Sequence, residues 1–308
     1  MIYIPNHIVN YQIYDIFYTT KLIIIRPAES ELDIYVNDRK CSIYRCPHNH
    51  TFIYTFKIPF TPTISLRIHN KVIHTHVNTY PSFKNEIIMS TLVKNEDNYI
   101  KQWIDFHLYI GITRFIIYDN SNSNTLYSLL SEYIKNNHVV LVQWIVPYEL
   151  QKSGISGQTT QQNHSIYAFH ESTYIGLFDI DEYINMQTHT NIHEFFKTII
   201  DTYAINTTLI GSFTIKNKFF YNPFNECTDG TNFLKIINCD VISKGREKNF
   251  VVPKNIKTFS VHQVTDGKPM ILIDEFHIYF NHYVFLNKTD RGTTKTTLID
   301  NSILRHIK

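Results

Sequence analysis

The sequence predicts an α/β domain with a mostly parallel sheet, preceded by a small all-β, sandwich-like domain. Residues 1–83 contain short apolar β segments and no helical period, whereas residues 84–308 alternate strand patterns with helix patterns. The polar stretch TYPSFKNE lies where the pattern changes. Because strands that alternate with helices through short connections form βαβ units, the second domain is predicted to have a parallel sheet.

Six β segments are predicted in residues 1–83. Clusters of Pro, Asn, Asp and Glu separate them, and strands at this spacing are typical of a sandwich or a barrel. The segments are LIIIRPA, LDIYV, CSIYRC, TFIYTFKI, TISLRIH and KVIHTHV.

The segment CSIYRCPHNH contains two cysteines and two histidines, which are possible zinc ligands. Cys41 and Cys46 are five residues apart, so their side chains point to opposite faces if the segment is one strand. Their spacing from His48 and His50 also differs from the usual zinc patterns. We therefore predict no zinc site here. Four cysteines are too few to crosslink a chain of this size, so we expect reduced thiols.

The predicted elements of the second domain begin with the strand EIIMSTLV. A helix capped by Asn95 follows, because apolar residues recur at helical spacing from Ile100 to Leu108, and Gly111 ends it. The next elements are the strand TRFIIYDN, the helix TLYSLLSEYIKNN, the strand VVLVQWIV, the helix QTTQQNHSIYAFH and the strand YIGLFDI. After the helix IHEFFKTIIDTYA, the strands LIGSFTI, FLKII, KTFSVHQV and ILIDEFHIYF predict a mixed C-terminal third.

Bulk composition excludes several functional classes. The 308 residues are 43% hydrophobic and 18% charged, as in globular proteins, and a net charge of +2 gives no indication of a nucleic-acid partner. No apolar window reaches the roughly 20 residues that cross a bilayer, and the N-terminus does not resemble a signal peptide. P-loop, G-x-S-x-G and H-E-x-x-H motifs are absent from the sequence.

We therefore expect a soluble, cytoplasmic protein without a transmembrane anchor. Asn, Ile, Lys and Tyr are abundant, which suggests an AT-rich genome such as that of a large DNA virus or a microbe. If the source is viral, the expected location is the host cytoplasm or the virion.

Three acids follow the apolar run of the fourth strand, in the segment FDIDEYI. Ligands of open α/β sheets bind at the carboxyl ends of the strands. Asp179 and Asp181 are two residues apart, so in extended backbone both point into one cleft, and Glu182 follows them directly. Acids so close together need a cation, and Mg²⁺ or Mn²⁺ shared with a phosphate group satisfies that need. A solvated turn is the alternative interpretation of such a short motif.

Polar residues also follow two other strands of the second domain. LVKNE carries Lys94, Asn95 and Glu96 at the start of a helix, and IIYDN carries Asp119 and Asn120. These positions suit a nucleotide, because they share the sheet edge at which ligands bind.

The order of these segments resembles glycosyltransferase family 92 and its GT-A-fold relatives. The resemblance rests on STLVKNEDNYIKQWIDFHLYIGITRFIIYDNSNSN, QTTQQNHSIYAF, YIGLFDIDEYI and NHYVFLNK. It covers about residues 86–292, and the preceding β segments lie outside it. The segment after LIGSFTIKNKFF is short and rich in Asn, where family members carry the loop that contacts the acceptor, so the acceptor stays open.

What the resemblance implies is a GT-A enzyme that transfers a sugar from a nucleotide-sugar donor, UDP-linked by family habit, to a hydroxyl of a glycan or glycoconjugate. Mn²⁺ or Mg²⁺ would be held by Asp179 and Asp181, which bind the donor diphosphate through the metal. By the same analogy the donor is contacted by the strand-end residues and by the predicted helix, namely by Lys94, Asn95, Glu96, Asp119, Asn120, Gln158 and Asn163.

The C-terminal part supplies further candidates for this donor site. One more metal ligand is expected from His262, which is predicted to lie on a strand, or from His282 in NHYVFLNK. Lys248, with Arg246 beside it, matches a lysine of the family and is a candidate contact for the diphosphate, although a solvated charged loop explains the pair equally well.

The catalytic residues implied are Asp179, Asp181 and Glu182. Whether the transfer inverts or retains the anomeric centre stays open, and so does the general base that inversion requires. Its candidates are Glu182, Glu226, Asp229 and Asp240.

Two hypotheses from other classes compete with this one. The first is a non-catalytic protein that binds carbohydrate or associates with a virion, in which the β domain binds glycan. The second is another metal-dependent nucleotide enzyme, such as a nucleotidyltransferase.

Overall fold

The computed structural model describes residues 1–46, 51–95, 97–121, 125–148, 156–221, 232–283 and 298–307. Within these residues the chain forms a mixed twelve-stranded sheet, two smaller sheets of five and four strands, and a two-stranded hairpin. No helix among them combines the length and the apolar character needed to span a membrane.

The strands of the first 80 residues belong mostly to the two smaller sheets. They are β1 (Ile2–Tyr3), β2 (Asp15–Tyr18), β3 (Leu22–Pro27), β4 (Ile34–Val36), β5 (Arg39–Lys40), β6 (Ser42–Cys46), β7 (Thr51–Phe56), β8 (Thr63–Ile68), β9 (Lys71–His76) and β10 (Asn78–Thr79).

The rest of the chain alternates helices and strands and then continues mainly as strands. The helices are α1 (Asp97–Tyr109), α2 (Thr125–Leu129), α3 (Ser131–Lys135), α4 (Ser156–Ala168) and α5 (Ile192–Thr202). The strands are β11 (Ile87–Val93), β12 (Arg114–Asp119), β13 (Val139–Gln143), β14 (Tyr174–Leu177), β15 (Glu182–Met186), β16 (Ser212–Phe220), β17 (Asn238–Cys239), β18 (Ser243–Val251), β19 (Ile256–Ser260), β20 (Gln263–Gly267), β21 (Met270–Leu272), β22 (Ile278–Tyr283) and β23 (Leu298–Ile299).

The two N-terminal sheets have the orders β10-β2-β3-β7-β6 and β5-β4-β8-β9. Alternation decides which faces meet, since β8 buries Ile64, Leu66 and Ile68 and turns its other side chains outward. Residues of both sheets, such as Ile24 and Leu66, share one apolar cluster. Two sheets packed face to face therefore enclose this part of the core.

The N-terminal residues are joined closely to the α/β part. Strand β1 pairs in parallel with β13 of the large sheet. Phe17 of β2 shares an apolar cluster with Phe169, which directly follows α4. Between the two parts the buried carboxylate of Asp15 lies 2.9 Å from Nε2 of His164. The domain boundary at residue 83 stays a prediction.

The large sheet is parallel on one side and mixed on the other. Strands β1, β13, β12, β11 and β14 run parallel, which agrees with the βαβ prediction, and β18 then pairs antiparallel with β14. Strand β16 pairs antiparallel with β18 and parallel with β22. The sheet as a whole is therefore mixed rather than mostly parallel.

Several predicted elements are shorter or divided in the structure. Helix α1 begins at Asp97, and Asn95 precedes it with a left-handed φ of 56°, so Asn95 is not its cap. The predicted helix TLYSLLSEYIKNN is two short helices that meet at Leu130. The segments KTFSVHQV and ILIDEFHIYF each form two strands, and FLKII contains a 3₁₀ turn instead of a strand. Turns interrupt these runs because hydrophobicity alone does not mark a change of direction.

The fourth predicted strand ends earlier than expected. Strand β14 stops at Leu177, and a new strand, β15, begins at Glu182. This second strand was not predicted. The acidic segment therefore spans the short connection between two strands, instead of extending the end of one.

Candidate functional site

Two of the three acids of FDIDEYI, Asp179 and Glu182, contact a buried lysine. Lys248 Nζ, from β18, is 2.7 Å from Asp179 Oδ2 and 3.0 Å from Glu182 Oε2. The side chains of Lys248 and Glu182 are 3% and 1% exposed, whereas that of Asp179 is 40% exposed. Lys248 thus neutralises the acids from the interior of the sheet, and Asp179 faces the solvent side.

His282 lies on the other side of Glu182. It occupies β22 directly opposite Glu182 in the antiparallel pair of β15 and β22. Its Nε2 is 3.5 Å from Asp181 Oδ2, and its Nδ1 is 3.6 Å from Glu182 Oε1. Glu182 therefore divides the cluster, with Oε2 toward Lys248 and Oε1 toward His282.

Backbone hydrogen bonds fix this arrangement. The Asp179 N–H donates to Glu182 Oε2 at 2.9 Å, and the Glu182 N–H donates to the Asp179 carbonyl at 3.1 Å. The Tyr283 N–H donates to the Asp181 carbonyl at 2.8 Å. Trp103 of α1 donates from its indole to the Glu182 carbonyl at 2.9 Å. The connection between β14 and β15 is thus held by its own side chains, by β22 and by α1.

Burial and charge shift the pKa values of the cluster in opposite directions. Burial raises the pKa of Glu182 to about 7, although Lys248 acts to lower it. Burial disfavours the ammonium of Lys248, but Asp179 and Glu182 outweigh burial and hold the Lys248 pKa above its ordinary value. Burial also disfavours protonated His282, and Asp181 with Glu182 outweighs it, so the pKa of His282 is raised.

Three side chains offer a set of ligands for a divalent cation. Ligand atoms of Asp181, Glu182 and His282 lie within 4.8 Å of one another. Nδ1 of His282 is buried and has no hydrogen-bond partner among the described residues, so it is an unsatisfied polar atom inside the cluster. Two carboxylates and an imidazole are ligand types that Mn²⁺ accepts, so the residues present fit a metal ion.

The predicted ligand Asp179 is held differently. Its Oδ1 accepts from Gln158 Nε2 at 3.0 Å, and its Oδ2 accepts from Lys248. Both oxygens are thus engaged by protein donors, and the structure does not group Asp179 with Asp181 and His282. The sequence analysis gave Glu182 a catalytic role and did not include it among the metal-ligand candidates; the strand register sets it opposite His282.

The other predicted histidine, His262, is not on a strand as predicted. It lies in the turn between β19 and β20, and its Nδ1 is 2.8 Å from the carbonyl oxygen of Glu247. Burial and then Lys248 lower the pKa of His262. The turn interrupts the run KTFSVHQV, so His262 borders the lysine side of the cluster and lies outside the three-residue ligand group.

Arg246 of β18 lies at the edge of the acid cluster, on the side of His282. Its guanidinium carbon is 6.0 Å from the ring centroid of Phe219, and the Phe219 ring is 5.0 Å from that of His282. Sequence reasoning did not identify Phe219, which β16 places opposite His282. Arg246 and Phe219 together form a border of the cluster.

The polar residues after β11 and β12 are brought together, because the two strands run parallel with Val93 opposite Asp119. The Asn120 N–H donates to the Val93 carbonyl at 2.8 Å, and the Asn95 N–H donates to Ser121 Oγ at 3.2 Å. Lys94 and Asn95 are exposed at this edge. Glu96 lies outside the described residues.

Asp119 and Asn120 have different surroundings at this edge. Asp119 is buried, and burial raises its pKa while the hydrogen bond from the Ser121 N–H opposes that shift. The amide of Asn120 donates to the carbonyls of Trp144 and Val146 at 2.6 and 2.8 Å. Asn120 therefore ties β12 to the segment after β13.

The two donor-site candidates predicted on α4, Gln158 and Asn163, make different contacts. Gln158, in the first turn, reaches Asp179 and is buried. Asn163 is fully buried, and its amide donates to the Phe259 carbonyl at 2.7 Å and accepts from the Phe259 N–H at 2.9 Å. Asn163 is thus a core residue that holds β19, which corrects its assignment to the donor site.

The remaining candidates give no further site residue. Asp240 is buried and accepts a hydrogen bond from Tyr221. Cys41 and Cys46 are buried in the N-terminal sheets. The other candidates for a base or for zinc ligation lie outside the described residues, namely Glu226, Asp229, His48 and His50.

Comparison with known proteins identifies the family. Residues 87–308 match the family described as glycosyltransferase family 92, and this chain belongs to that family. A family 92 protein of Ricinus communis is 22% identical over 214 residues, which are 66% of this chain and 35% of the relative. One of Arabidopsis thaliana is 27% identical over 109 residues, or 34% of this chain and 17% of the relative. The chain thus spans about a third or less of these relatives.

Two solved structures show weaker likeness. Staphylococcus aureus TarS residues 1–349 align with a TM-score of 0.38 and 10% identity, over 64% of this chain and 60% of TarS. Glucosyl-3-phosphoglycerate synthase of Mycobacterium tuberculosis, in complex with Mn²⁺, UDP and glucosyl-3-phosphoglycerate, aligns with a TM-score of 0.27 and 16% identity over 45% of each chain. Both scores are below 0.5, so they do not establish a common fold.

Proposed function

We propose that this protein is a GT-A glycosyltransferase that moves a sugar from a nucleotide-sugar donor, UDP-linked, to a hydroxyl of a glycan or glycoconjugate. The observation that carries the proposal is the group Asp181, Glu182 and His282 beside the strand ends of β11 and β12 in a chain of family 92. A carboxylate cluster at the carboxyl edge of a parallel sheet is where α/β proteins bind phosphorylated ligands.

Asp181, Glu182 and His282 would hold the divalent ion. Mn²⁺ suits this set better than Mg²⁺, because Mg²⁺ demands oxygen ligands and an imidazole is a softer donor. These residues would thereby place a Lewis acid where negative charge develops on the departing nucleoside diphosphate.

The other residues position this centre. Lys248 and Gln158 bind the two oxygens of Asp179, and Lys248 also binds Glu182 Oε2. This leaves Glu182 Oε1 directed toward His282. We assign Lys248 to the carboxylates instead of the donor diphosphate, because its buried ammonium already has two acceptors.

The donor base and ribose are assigned to the neighbouring edge. Lys94 and Asn95 are exposed there, and Asp119 presents a carboxylate from the end of β12. Arg246, at the border formed with Phe219, is assigned as a cation that approaches the diphosphate. These assignments rest on placement at the sheet edge and on the family.

The test is Mn²⁺ binding followed by donor hydrolysis. Isothermal titration of the native protein with Mn²⁺ should show one site, and release of UDP from UDP-sugars should require the metal. Asp181→Asn and His282→Ala should each weaken Mn²⁺ binding by at least about tenfold. Asp201→Asn, which changes an exposed acid on α5, should leave binding unchanged.

Two outcomes would contradict the proposal. If native protein binds no Mn²⁺ or Mg²⁺, the metal centre is wrong. If it binds metal but no nucleotide sugar stabilises it or is hydrolysed, the transferase activity is wrong, and a carbohydrate-binding protein becomes the better hypothesis.

A further inference from the structure

A second polar cavity lies in the four-stranded N-terminal sheet. It has a volume of about 550 Å³, within the range of small-molecule sites. Strands β8 and β9 contribute Thr63, Ser65 and His74, and the connection before β8 contributes Pro59 and Thr61. None of these residues belongs to the acid cluster.

The lining is rich in hydroxyl groups. Its polar side chains are threonines, a serine, an asparagine and two histidines, and none of the lining residues is Asp, Glu, Lys or Arg. A nucleotide or phosphate would find no lysine or arginine there. Hydroxyl, amide and imidazole groups both donate and accept hydrogen bonds, which suits a ligand that carries many hydroxyl groups itself.

Three of these polar groups are held in place by their neighbours. Ser65 and His74 lie opposite each other on β8 and β9, and Ser65 Oγ is 2.8 Å from His74 Nδ1. The amide of Asn6 donates to Thr75 Oγ1 at 2.8 Å. Such fixed groups bind a ligand at a lower entropic cost than freely rotating ones.

The connection between β7 and β8 adds an apolar surface to this polar lining. Ile58 and Pro59 line the cavity, and Phe60, between lining residues 59 and 61, is 48% exposed. The Phe60 ring lies 5.4 Å from that of Tyr18, which supports it from one side. Phe60 is not itself a lining residue, but its exposed ring follows the lining residue Pro59 in the chain and offers an apolar face for the C–H side of a pyranose.

We propose that this cavity is a binding site for a neutral oligosaccharide. A lining without Asp, Glu, Lys or Arg, the preset hydroxyl and imidazole groups, and the exposed Phe60 at the edge of the lining segment all favour the same ligand chemistry. The site is separate from the metal-binding group and does not depend on the proposed transferase activity. It would retain a saccharide chain on the N-terminal sheets.

Saturation-transfer NMR and isothermal titration on the full chain test the site. The probes are maltotriose, cellotriose and triacetylchitotriose. At least one should bind the native protein, and His74→Ala and Phe60→Ala should each weaken its binding by at least about tenfold, the loss expected for one hydrogen bond or one stacked ring. Val72→Ala is the matched control, because Val72 is a 58% exposed residue of β9 outside the lining.

Asp181→Ala separates this site from the candidate active site. Saccharide binding that persists in Asp181→Ala and is lost in His74→Ala supports the proposal. Binding that is lost in Asp181→Ala and kept in His74→Ala places the saccharide at the acid cluster and overturns it. Absence of binding for all three probes also overturns the proposal. Mn²⁺ binding and donor hydrolysis are measured separately, so this result would not decide the proposed transferase activity. Thermal melting shows whether each variant is folded.

Discussion

Replacing Lys248 with Met tests the charge balance of the acid cluster, because Met keeps most of the chain length and removes the ammonium. Removing one partner of a buried ion pair costs about 3–5 kcal/mol. Asp179 is 40% exposed and regains water, whereas Glu182 is 1% exposed and does not. Most of the loss therefore comes from Glu182, and we expect the free energy of unfolding to fall by about 3 kcal/mol, the lower end of that range.

The loss should grow as pH rises. Burial raises the pKa of Glu182 to about 7 in the native protein, and Lys248 keeps it from rising further. A raised folded-state pKa contributes stability that is present at low pH and lost as pH rises through that pKa. The native protein completes this loss near pH 7, whereas Lys248→Met, with a higher Glu182 pKa, continues to lose stability above it. Each unit by which the Glu182 pKa of Lys248→Met exceeds that of the native protein adds about 1.4 kcal/mol to the loss of stability at high pH.

Thermal denaturation followed by circular dichroism, after treatment with a chelator, measures both effects. A loss of about 3 kcal/mol should lower Tm by roughly 5 °C, because about 2.1 cal/mol/K per residue gives an unfolding entropy of about 0.65 kcal/mol/K for 308 residues. Lys197→Met is the matched control, since Lys197 pairs with Asp201 on the exposed face of α5 and its loss should leave Tm nearly unchanged. The reasoning is refuted if Lys248→Met lowers Tm no more than Lys197→Met, or equally at about pH 6 and pH 8.5.

Three further predictions concern the core around the site. Asp15→Ala should lower the free energy of unfolding by about 3–5 kcal/mol in urea denaturation, because the buried His164 loses its acceptor; an unchanged midpoint would argue against this role. Gly176→Ala should cost about 1–3 kcal/mol, because a Cβ would lie 2.8 Å from Phe250 Cε1, and an unaltered Tm would contradict the clash. Burial lowers the pKa of His107 to about 3, so the NMR signals of its imidazole should not titrate between pH 8 and 5. The free energy of unfolding should fall as pH drops below about 6.5, because His107 takes up a proton in the unfolded chain and not in the folded one. A titration midpoint near 6.5 for His107 in the folded protein would disprove this.

Local patterns were sufficient to predict the parallel half of the large sheet. The strands β11, β12 and β13 are apolar runs, and α1 buries Ile100, Trp103 and Ile104 at helical spacing. The acids Asp179, Asp181 and Glu182 were also identified as one cluster from their position after an apolar run. These features depend on neighbouring residues, so the sequence shows them directly.

Which groups meet around the acids depended on distant parts of the chain. Glu182 and His282 are paired through β15 and β22. Strand β15 was not predicted, because only four residues separate it from β14 and the predicted strand YIGLFDI already covered most of them. The turn at His262 and the role of Asn163 in holding β19 were likewise invisible in local patterns.

The sequence by itself determined the order of the βαβ units and the acidic cluster, since spacing and hydrophobic period encode these features locally, and the resemblance of its segments indicated the family. Only the tertiary structure decided that Lys248 binds Asp179 and Glu182, and that Asp181, Glu182 and His282 bring their ligand atoms within 4.8 Å of one another. The physical reason is that strand register, not sequence distance, sets which side chains lie within a few ångströms of one another.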